Sequence, residues 1–234
     1  MLLNIDTSTD YCSVALNDGD QLLFNISDTQ VRNHASLLSI FVQKALDFAK
    51  SNCAKIDAIA VSAGPGSYTG LRIGVSTAKG LCFGLNIPLI SIDTLQIINI
   101  SAKSKINTAY ENILLCPMID ARRMEVFCAL YKYDGTIFSE IKAEIITENS
   151  FADIVKNHTI YFFGTGADKC KTLLHHHNYR FIDNIYPLAE NMISLSNRKF
   201  QQKTFEDIAY FEPYYLKEFQ ATKQKTFFDK SVQK

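Results

Sequence analysis

Apolar and polar positions along the start of the chain predict three strands followed by a helix. Apolar runs at Leu2–Asp6, Cys12–Leu16 and Gln21–Ile26 are typical of strands, and Asp18-Gly19 is a hairpin turn signal before the third. Apolar residues then recur at helical spacing over about residues 33–51. The expected opening of the fold is therefore an antiparallel meander followed by an amphipathic helix.

Strands and helices then alternate as far as residue 102. The predicted elements are a buried strand at Ile56–Ser62, a helix over about Tyr68–Leu85, a strand at Pro88–Ile92 and a helix at Thr94–Ala102. A glycine-rich segment, AGPGSYTG, joins the first of these strands to its helix. A meander followed by crossovers differs from a simple doubly wound sheet, which begins with a strand–helix–strand unit.

The second half of the chain starts with strands again, after a polar stretch at 103–112. The predicted elements are strands at Ile113–Ile119, Met124–Tyr131, Ile137–Ile146 and Thr159–Phe163, and a helix over about Ala167–His175. Two halves that each open with a meander suggest a duplicated domain, although no sequence repeat is detected. We predict domains at 1–105 and 106–216, followed by a lysine-rich tail at 217–234.

Composition narrows the class of protein. The chain has 234 residues, 47% of them hydrophobic, with 24 basic and 24 acidic side chains, so no net field attracts nucleic acid or a membrane. Six cysteines are scattered without a CxxC pair, which fits a reducing compartment. The N-terminus lacks a basic region typical of signal peptides, and no apolar run approaches the ~20 residues of a membrane helix. We expect a cytoplasmic protein.

Three stretches together resemble the TsaB (YeaZ) family. They are IDTST with SVAL near the start, AIAVSAGPGSYTGLRIGVSTAKGL at 58–81 with IPLISIDTL after it, and IDARRMEVF at 119–127. The resemblance covers residues 1–130 well and is thin beyond them. It implies an α/β protein of two ribonuclease-H-like half-domains, as in the actin, Hsp70 and sugar-kinase superfamily.

The end of the first strand is a candidate nucleotide site. In this superfamily a strand-end carboxylate and hydroxyls face a nucleotide phosphate or metal, and the glycine-rich segment leads into a helix N-terminus, which favours anions. The alternative is that the same residues only form the turn. The sequence requires no cofactor, and ATP or ADP with Mg²⁺ at the subunit interface is a second expectation. The candidate residues are Asp6, Thr7, Ser8, Gly64 and Gly66.

The helices at 33–51 and 68–85 are candidate partner surfaces. Gly70, Gly74, Ala78 and Gly80 place small residues on successive turns, which permits packing against either the sheet or another protein's helix. The resemblance favours the second, because family members pair through these two helices. The interface residues it implies are His34, Leu38, Phe41, Tyr68, Thr69, Arg72, Gly74 and Ser76.

The chain lacks the metal site of a catalytic relative. TsaD carries an HxxxH pair on the corresponding helix, and here its two positions fall on Thr94 and Ile98, which cannot replace histidine. We predict no metal site and no catalytic residue. His34 is expected to cap or pack, and the adjacent His175, His176 and His177 point in different directions. Arg122 and Arg123 lie in a turn between strands, where they either face solvent or contact a partner or tRNA.

The resemblance implies a non-catalytic subunit that binds TsaD as a heterodimer, with TsaE joining a larger complex. This subunit supports threonylcarbamoyl transfer to N6 of the adenosine beside the anticodon, in tRNAs that read codons beginning with A, so that tRNA is met indirectly. Three alternatives remain at this point: a metal-dependent glycoprotease-type peptidase, a small-molecule kinase, and a homodimeric scaffold using the same helices. A homodimer formed in the absence of TsaD is compatible with both the TsaD-binding subunit and the homodimeric scaffold.

Overall fold

A computed structural model describes residues 1–28, 34–106 and 112–216. The first half of the chain forms a five-stranded mixed sheet in the order β3-β2-β1-β4-β5. The first three strands make the expected antiparallel meander, and the last two run parallel to β1. Its strands are β1 (Leu2–Asp6), β2 (Cys12–Asp18), β3 (Gln21–Asp28), β4 (Ala58–Gly64) and β5 (Leu89–Asp93).

Helices cover both faces of this sheet. The helices α1 (His34–Ser51) and α2 (Tyr68–Leu85) pack on one face, over a core that includes Leu3, Ile5 and Val61. The other face packs against α3 (Thr94–Lys103) and later elements. Burial of the central strands on both faces explains why they appear in the sequence as continuous apolar runs.

The second half repeats this topology. Its sheet has the order β10-β9-β6-β7-β8, in which β6, β7 and β8 form an antiparallel meander and β9 runs parallel to β6. The prediction of two ribonuclease-H-like α/β half-domains is confirmed. Its elements are β6 (Ile113–Asp120), β7 (Glu125–Lys132), β8 (Ile137–Ile145), α4 (Ala152–Val155), β9 (Thr159–Phe163), α5 (Ala167–Cys170) and β10 (Tyr179–Ile182).

The prediction of a helix reaching His175 is wrong. Helix α5 ends at Cys170, and the chain continues through turns in which the amides of Leu173 and Leu174 both donate to the carbonyl of Cys170. Leu174 is buried in the second core, so the chain has to bend inward there before it enters β10. The strand β10 and the short helix α4 were not predicted.

The last part of the described chain packs on the sheet of the first half, although we predicted that all of residues 106–216 belong to the second domain. A 3-10 helix (Ala189–Met192) and α6 (Ile193–Gln201) cover the free face of the first sheet, with Ala189 and Met192 in its core. Residues 204–216, called the strap below, then run along β5 and β4: the amide of Glu206 donates to Leu89 O (2.9 Å) and that of Tyr214 to Ala63 O (2.7 Å).

Several predictions lie wholly or partly outside the described residues. The group comprises the lysine-rich tail at 217–234, the start of α1 at residue 33 and half of the polar stretch at 103–112. All six cysteines are free thiols, and only Cys53 is exposed. Among the described helices, none combines the length and the apolar character that crossing a membrane requires.

Candidate functional site

The end of β1 and the start of the turn that follows it are completely buried. Asp6, Thr7 and Ser8 have no exposed surface. The Ser8 hydroxyl lies 3.1 Å from both carboxylate oxygens of Asp6, and the Ser8 amide donates to the same group at 3.2 Å. Burial raises the pKa of Asp6 to about 7, because the ionised carboxylate loses water, while hydrogen bonds from Ser8 oppose the rise.

The glycine-rich segment after β4 packs directly onto this turn. The Ser67 amide donates to Ser8 O at 2.7 Å, and the Thr7 hydroxyl donates to Gly70 O at 2.7 Å. A Cβ on Gly66 would lie 2.3 Å from Ser8 O, and one on Gly70 would lie 2.0 Å from Thr7 O. These positions require glycine because backbone meets backbone.

This geometry does not fit a nucleotide phosphate with Mg²⁺. The oxygens of Asp6, Thr7 and Ser8 face the chain's own loop, and Gly64 is closed over by the strap, since its Cβ would lie 2.8 Å from Tyr214 O. Only Gly66 of the five candidate residues retains some exposure. The arrangement agrees with the alternative in which these residues build and seal the turn.

The small residues of α2 face the sheet, which corrects the expectation that they form the partner surface. Gly70, Gly74 and Ala78 are buried, and a Cβ on Gly74 would lie 2.3 Å from the Thr7 hydroxyl oxygen. Small residues are needed at these positions because α2 lies close to β1. Gly80 differs, because it is exposed and has no atom within 4 Å of an added Cβ.

The eight predicted interface residues divide into two groups. Leu38 and Phe41 are 1% and 6% exposed and belong to the first core, so they do not lie on the surface. His34 is buried too, with its Nε2 3.2 Å from Tyr11 O. The periodicity identified an apolar stripe, and the chain's own sheet covers it. The predicted interface residues that are partly or fully exposed are Tyr68, Thr69, Arg72 and Ser76.

The outer side of α1 and α2 forms a surface that we call the helix-layer face. Phe83 is 83% exposed there and Ile40 is 50% exposed, among short or polar side chains. Aromatic residues are enriched at protein–protein interfaces relative to the rest of the surface. The members of this face are Ile40 and Gln43 of α1 with Thr69, Arg72, Ser76, Gly80 and Phe83 of α2.

An aromatic–arginine cluster borders this face. The Arg72 guanidinium lies 4.2 Å from the centre of the Tyr68 ring, and its Nε donates to the Tyr215 hydroxyl at 3.2 Å. The Tyr68 and Tyr215 rings are 4.9 Å apart. The hydrogen bond to Tyr215 raises the pKa of Arg72 further, so the charge is permanent. A cavity of about 370 Å³ lies beside the cluster, between α2 and the strap.

Known proteins are similar to this chain in sequence and in fold. A family model described as "TsaD: tRNA N6-adenosine threonylcarbamoyltransferase" matches residues 21–226. The Escherichia coli K12 protein named tRNA threonylcarbamoyladenosine biosynthesis protein TsaB is 32% identical, over 92% of this chain and 94% of its own. The chain belongs to the TsaB branch of this family.

Other relatives agree with the TsaB assignment. The Haemophilus influenzae TsaB is 29% identical over 92% of the chain, whereas a tRNA N6-adenosine threonylcarbamoyltransferase from Geotalea daltonii matches only 41% of it and 33% of the enzyme. A Pseudomonas aeruginosa structure described as similar to peptidase YEAZ superposes with a TM-score of 0.76 at 25% identity, covering 92% of this chain and 99% of that one.

The positions that correspond to the TsaD metal pair lie in the core of this TsaB chain. Thr94 and Ile98 are both 0% exposed, and Thr94 Oγ1 has no hydrogen-bond partner among the described residues. Asp93 caps α3 by accepting from the Gln96 amide at 3.0 Å, and burial raises its pKa to about 6. A hydroxyl and an alkyl group cannot together hold a metal ion.

The histidine run at 175–177 is not gathered around one point. His175 Nε2 lies 3.1 Å from Thr172 O, while the rings of His176 and His177 stack on each other at 4.2 Å. Within the described residues, no group of three or more His, Cys, Asp or Glu side chains is arranged to hold a metal ion.

The sequence analysis did not single out Ile40, Gln43 or Phe83 of the helix-layer face, nor Tyr215 of the cluster that borders it. Phe83 falls at helical spacing from Ser76 and Gly80, on the side opposite the apolar stripe, and this signal could have identified it. Tyr215 could not have been found, because it lies 143 residues from Arg72 along the chain.

Proposed function

We propose that this chain is a non-catalytic subunit in tRNA threonylcarbamoyladenosine biosynthesis that binds the catalytic TsaD protein. It supports the transfer of threonylcarbamoyl to N6 of the adenosine beside the anticodon, in tRNAs reading codons that begin with A. TsaE joins the same assembly. The names carried by the TsaB relatives support the pathway.

The observation that carries the proposal is the helix-layer face. Phe83 exposes most of its ring on a helix whose inner side is locked to the sheet by Gly70 and Gly74. A rigid helix with an exposed aromatic residue suits pairing with another helix, since little order has to be gained on binding. Arg72 at its border is held by Tyr68 and Tyr215, and arginine and tyrosine are frequent in the energetic centres of interfaces.

The identity of Thr94 and Ile98 supports a non-catalytic role. A threonylcarbamoyl transferase that relies on the HxxxH pair needs imidazole ligands, and these two buried side chains do not supply them. In the proposed complex the metal chemistry therefore belongs to TsaD, and this chain contributes the surface that TsaD binds.

Size-exclusion chromatography with light scattering tests the proposal on the chain alone and mixed with TsaD from the same organism. A heteromeric peak is expected, and Phe83→Ser should weaken binding about 30-fold if the ring is central to the interface. The matched control is Ile145→Ser, which removes a 67% exposed apolar side chain from β8 in the other half. Absence of a heteromer for the wild-type pair would overturn the proposal.

A homodimer that uses the same face is the second candidate. The exposed Phe83 and Ile40 favour it, because apolar residues on one surface pair as well with a second copy as with a relative of similar fold. A dimer of the chain alone that Phe83→Ser converts to a monomer, and that TsaD does not displace, would favour the homodimeric scaffold instead.

A further inference from the structure

The turn between β6 and β7 holds two consecutive arginines in an unusual backbone conformation. Arg122 has φ 72° and Arg123 has φ 50°, both in the left-handed region. Glycine and asparagine adopt this region readily, whereas a long side chain is disfavoured there by contact with its own carbonyl. A hairpin without any other role would favour Asn-Gly at such a position.

The surrounding chain forces the turn into this shape. The Arg122 amide donates to Asp120 Oδ1 at 2.7 Å, and the Ala121 amide donates to Glu125 O at 3.0 Å. Lys169 reaches over from α5 and donates to Arg123 O (2.7 Å), to Glu125 O (2.6 Å) and to Asp120 Oδ1 (2.5 Å). Strain that persists because its surroundings over-determine it is found mainly at functional sites.

Both arginine side chains remain available for a ligand. They are exposed, and neither forms a salt bridge with a residue in the described part of the chain. Asp120 pairs with Lys169, and Asp168 and Asp183 both pair with Lys171. These three carboxylates are therefore offset by lysines and form no salt bridge with Arg122 or Arg123.

We propose that the Arg122–Arg123 turn binds the phosphate backbone of the tRNA, which the chain then meets directly as well as through its partner. Two adjacent guanidinium groups match a phosphodiester, because each presents paired N–H donors to its oxygens. Phosphate contacts of this kind position a nucleic acid and do not read its sequence. The inference rests on the proposed function, which makes tRNA the substrate of the complex.

The location of the turn fits this role. It lies at the carboxyl end of β6 in the second half, whereas the helix-layer face belongs to the first half, so TsaD bound to α1 and α2 uses different elements. The chain has no net charge, so the contact is local and contributes to binding by the whole complex.

The test is tRNA binding by the purified heteromer, measured by fluorescence anisotropy with unmodified tRNA over a series of salt concentrations. Arg122→Ala/Arg123→Ala should weaken binding about tenfold near 0.1 M salt and reduce the salt slope by about 1.5, as expected for two lost phosphate contacts. The matched control, Lys132→Ala/Lys156→Ala, removes the same charge at the opposite end of the sheet and should change affinity less than twofold. The whole chain is used throughout, so the five lysines of the tail are common to all variants.

A second variant separates binding from folding. Arg122→Asn/Arg123→Gly should raise the Tm by a few degrees, because it relieves the left-handed strain, and yet should lose as much tRNA affinity as the alanine pair. A structural role for the arginines predicts the opposite change in Tm.

Three outcomes would overturn the inference: unchanged tRNA affinity in the alanine pair, an equal loss in the lysine control, or a loss of TsaD binding instead. Heteromer formation is scored first in every sample by light scattering. If no heteromer forms, the proposed function fails, and the same variants are compared for tRNA binding by the chain alone.

Discussion

Replacing Gly74 by alanine should destabilise the protein, although alanine is the better helix former. An added Cβ would lie 2.3 Å from Thr7 Oγ1 and 3.5 Å from the Val61 side chain. The Thr7 hydroxyl would have to rotate away and give up its 2.7 Å hydrogen bond to Gly70 O. Gly80 is the matched control, because it lies in the same helix with nothing within 4 Å of an added Cβ.

The estimated changes in the free energy of unfolding have opposite signs in the two variants. Leaving the buried Thr7 hydroxyl without its acceptor costs about 1–3 kcal/mol, and crowding in a packed core costs about 1–3 kcal/mol more. Alanine returns about 1 kcal/mol of helix propensity at either site. Gly74→Ala should therefore lower the free energy of unfolding by about 1–5 kcal/mol, whereas Gly80→Ala should raise it by about 1 kcal/mol.

Urea denaturation of the two variants and of a third, Thr7→Ala/Gly74→Ala, tests this mechanism. Without the hydroxyl, the nearest Thr7 atom is Cβ at 3.6 Å, an ordinary contact, so the double variant should be no less stable than Thr7→Ala alone. If Gly74→Ala is as stable as Gly80→Ala but binds TsaD poorly, the small residues face the partner after all, and the placement of α2 is wrong.

Two further predictions concern the buried turn and the aromatic–arginine cluster. Burial raises the pKa of Asp6 from 3.8 to about 7, so the free energy of unfolding should fall by at most about 4 kcal/mol as pH rises from 3.8 through about 7. Urea titrations at several pH values should show that Asp6→Asn flattens this dependence. A variant with the same pH profile as the wild type would contradict the prediction. Tyr215→Phe keeps the stacked ring but removes the hydrogen-bond acceptor for Arg72 Nε. TsaD binding measured by calorimetry should therefore weaken about threefold, while the Tm of the protein stays unchanged. Wild-type affinity in this variant would exclude Arg72 from the interface.

The sequence predicts the two sheets well because their signals are local. Continuous apolar runs, the Asp18-Gly19 turn and helical spacing each arise within a few neighbouring residues, and the strands β1 to β9 and the first three helices follow from them. The helix α6 and the strand β10 were missed because their local signals are short: α6 has nine mostly polar residues, of which only Ile193 and Ser196 are buried, and β10 has four residues.

The candidate site was predicted less well because it depends on which surfaces meet. The apolar stripe containing Leu38 and Phe41 marks one face of α1, but periodicity does not say whether a sheet or another protein covers it. Gly74 raises the same ambiguity, and only the distance to Thr7 resolves it. Contacts made by the strap, such as Tyr215 with Arg72, span more than a hundred residues and leave no local pattern.

The two halves of the chain contain similar glycine-rich loops, but the helices that follow these loops differ in length. In each, a glycine loop donates an amide to the first strand or to the turn that follows it: Ser67 to Ser8 O at 2.7 Å, just after β1, and Gly166 to Met118 O at 3.0 Å, within β6. The first loop leads into the long α2, which buries its turn and presents a helix surface outward. The second leads into the four-residue α5, which cannot cover its turn and instead stabilises it through Lys169. Helix length therefore decides which half presents a helix surface and which exposes a charged turn, so the proposed binding of TsaD and the proposed binding of tRNA should be separable by mutation.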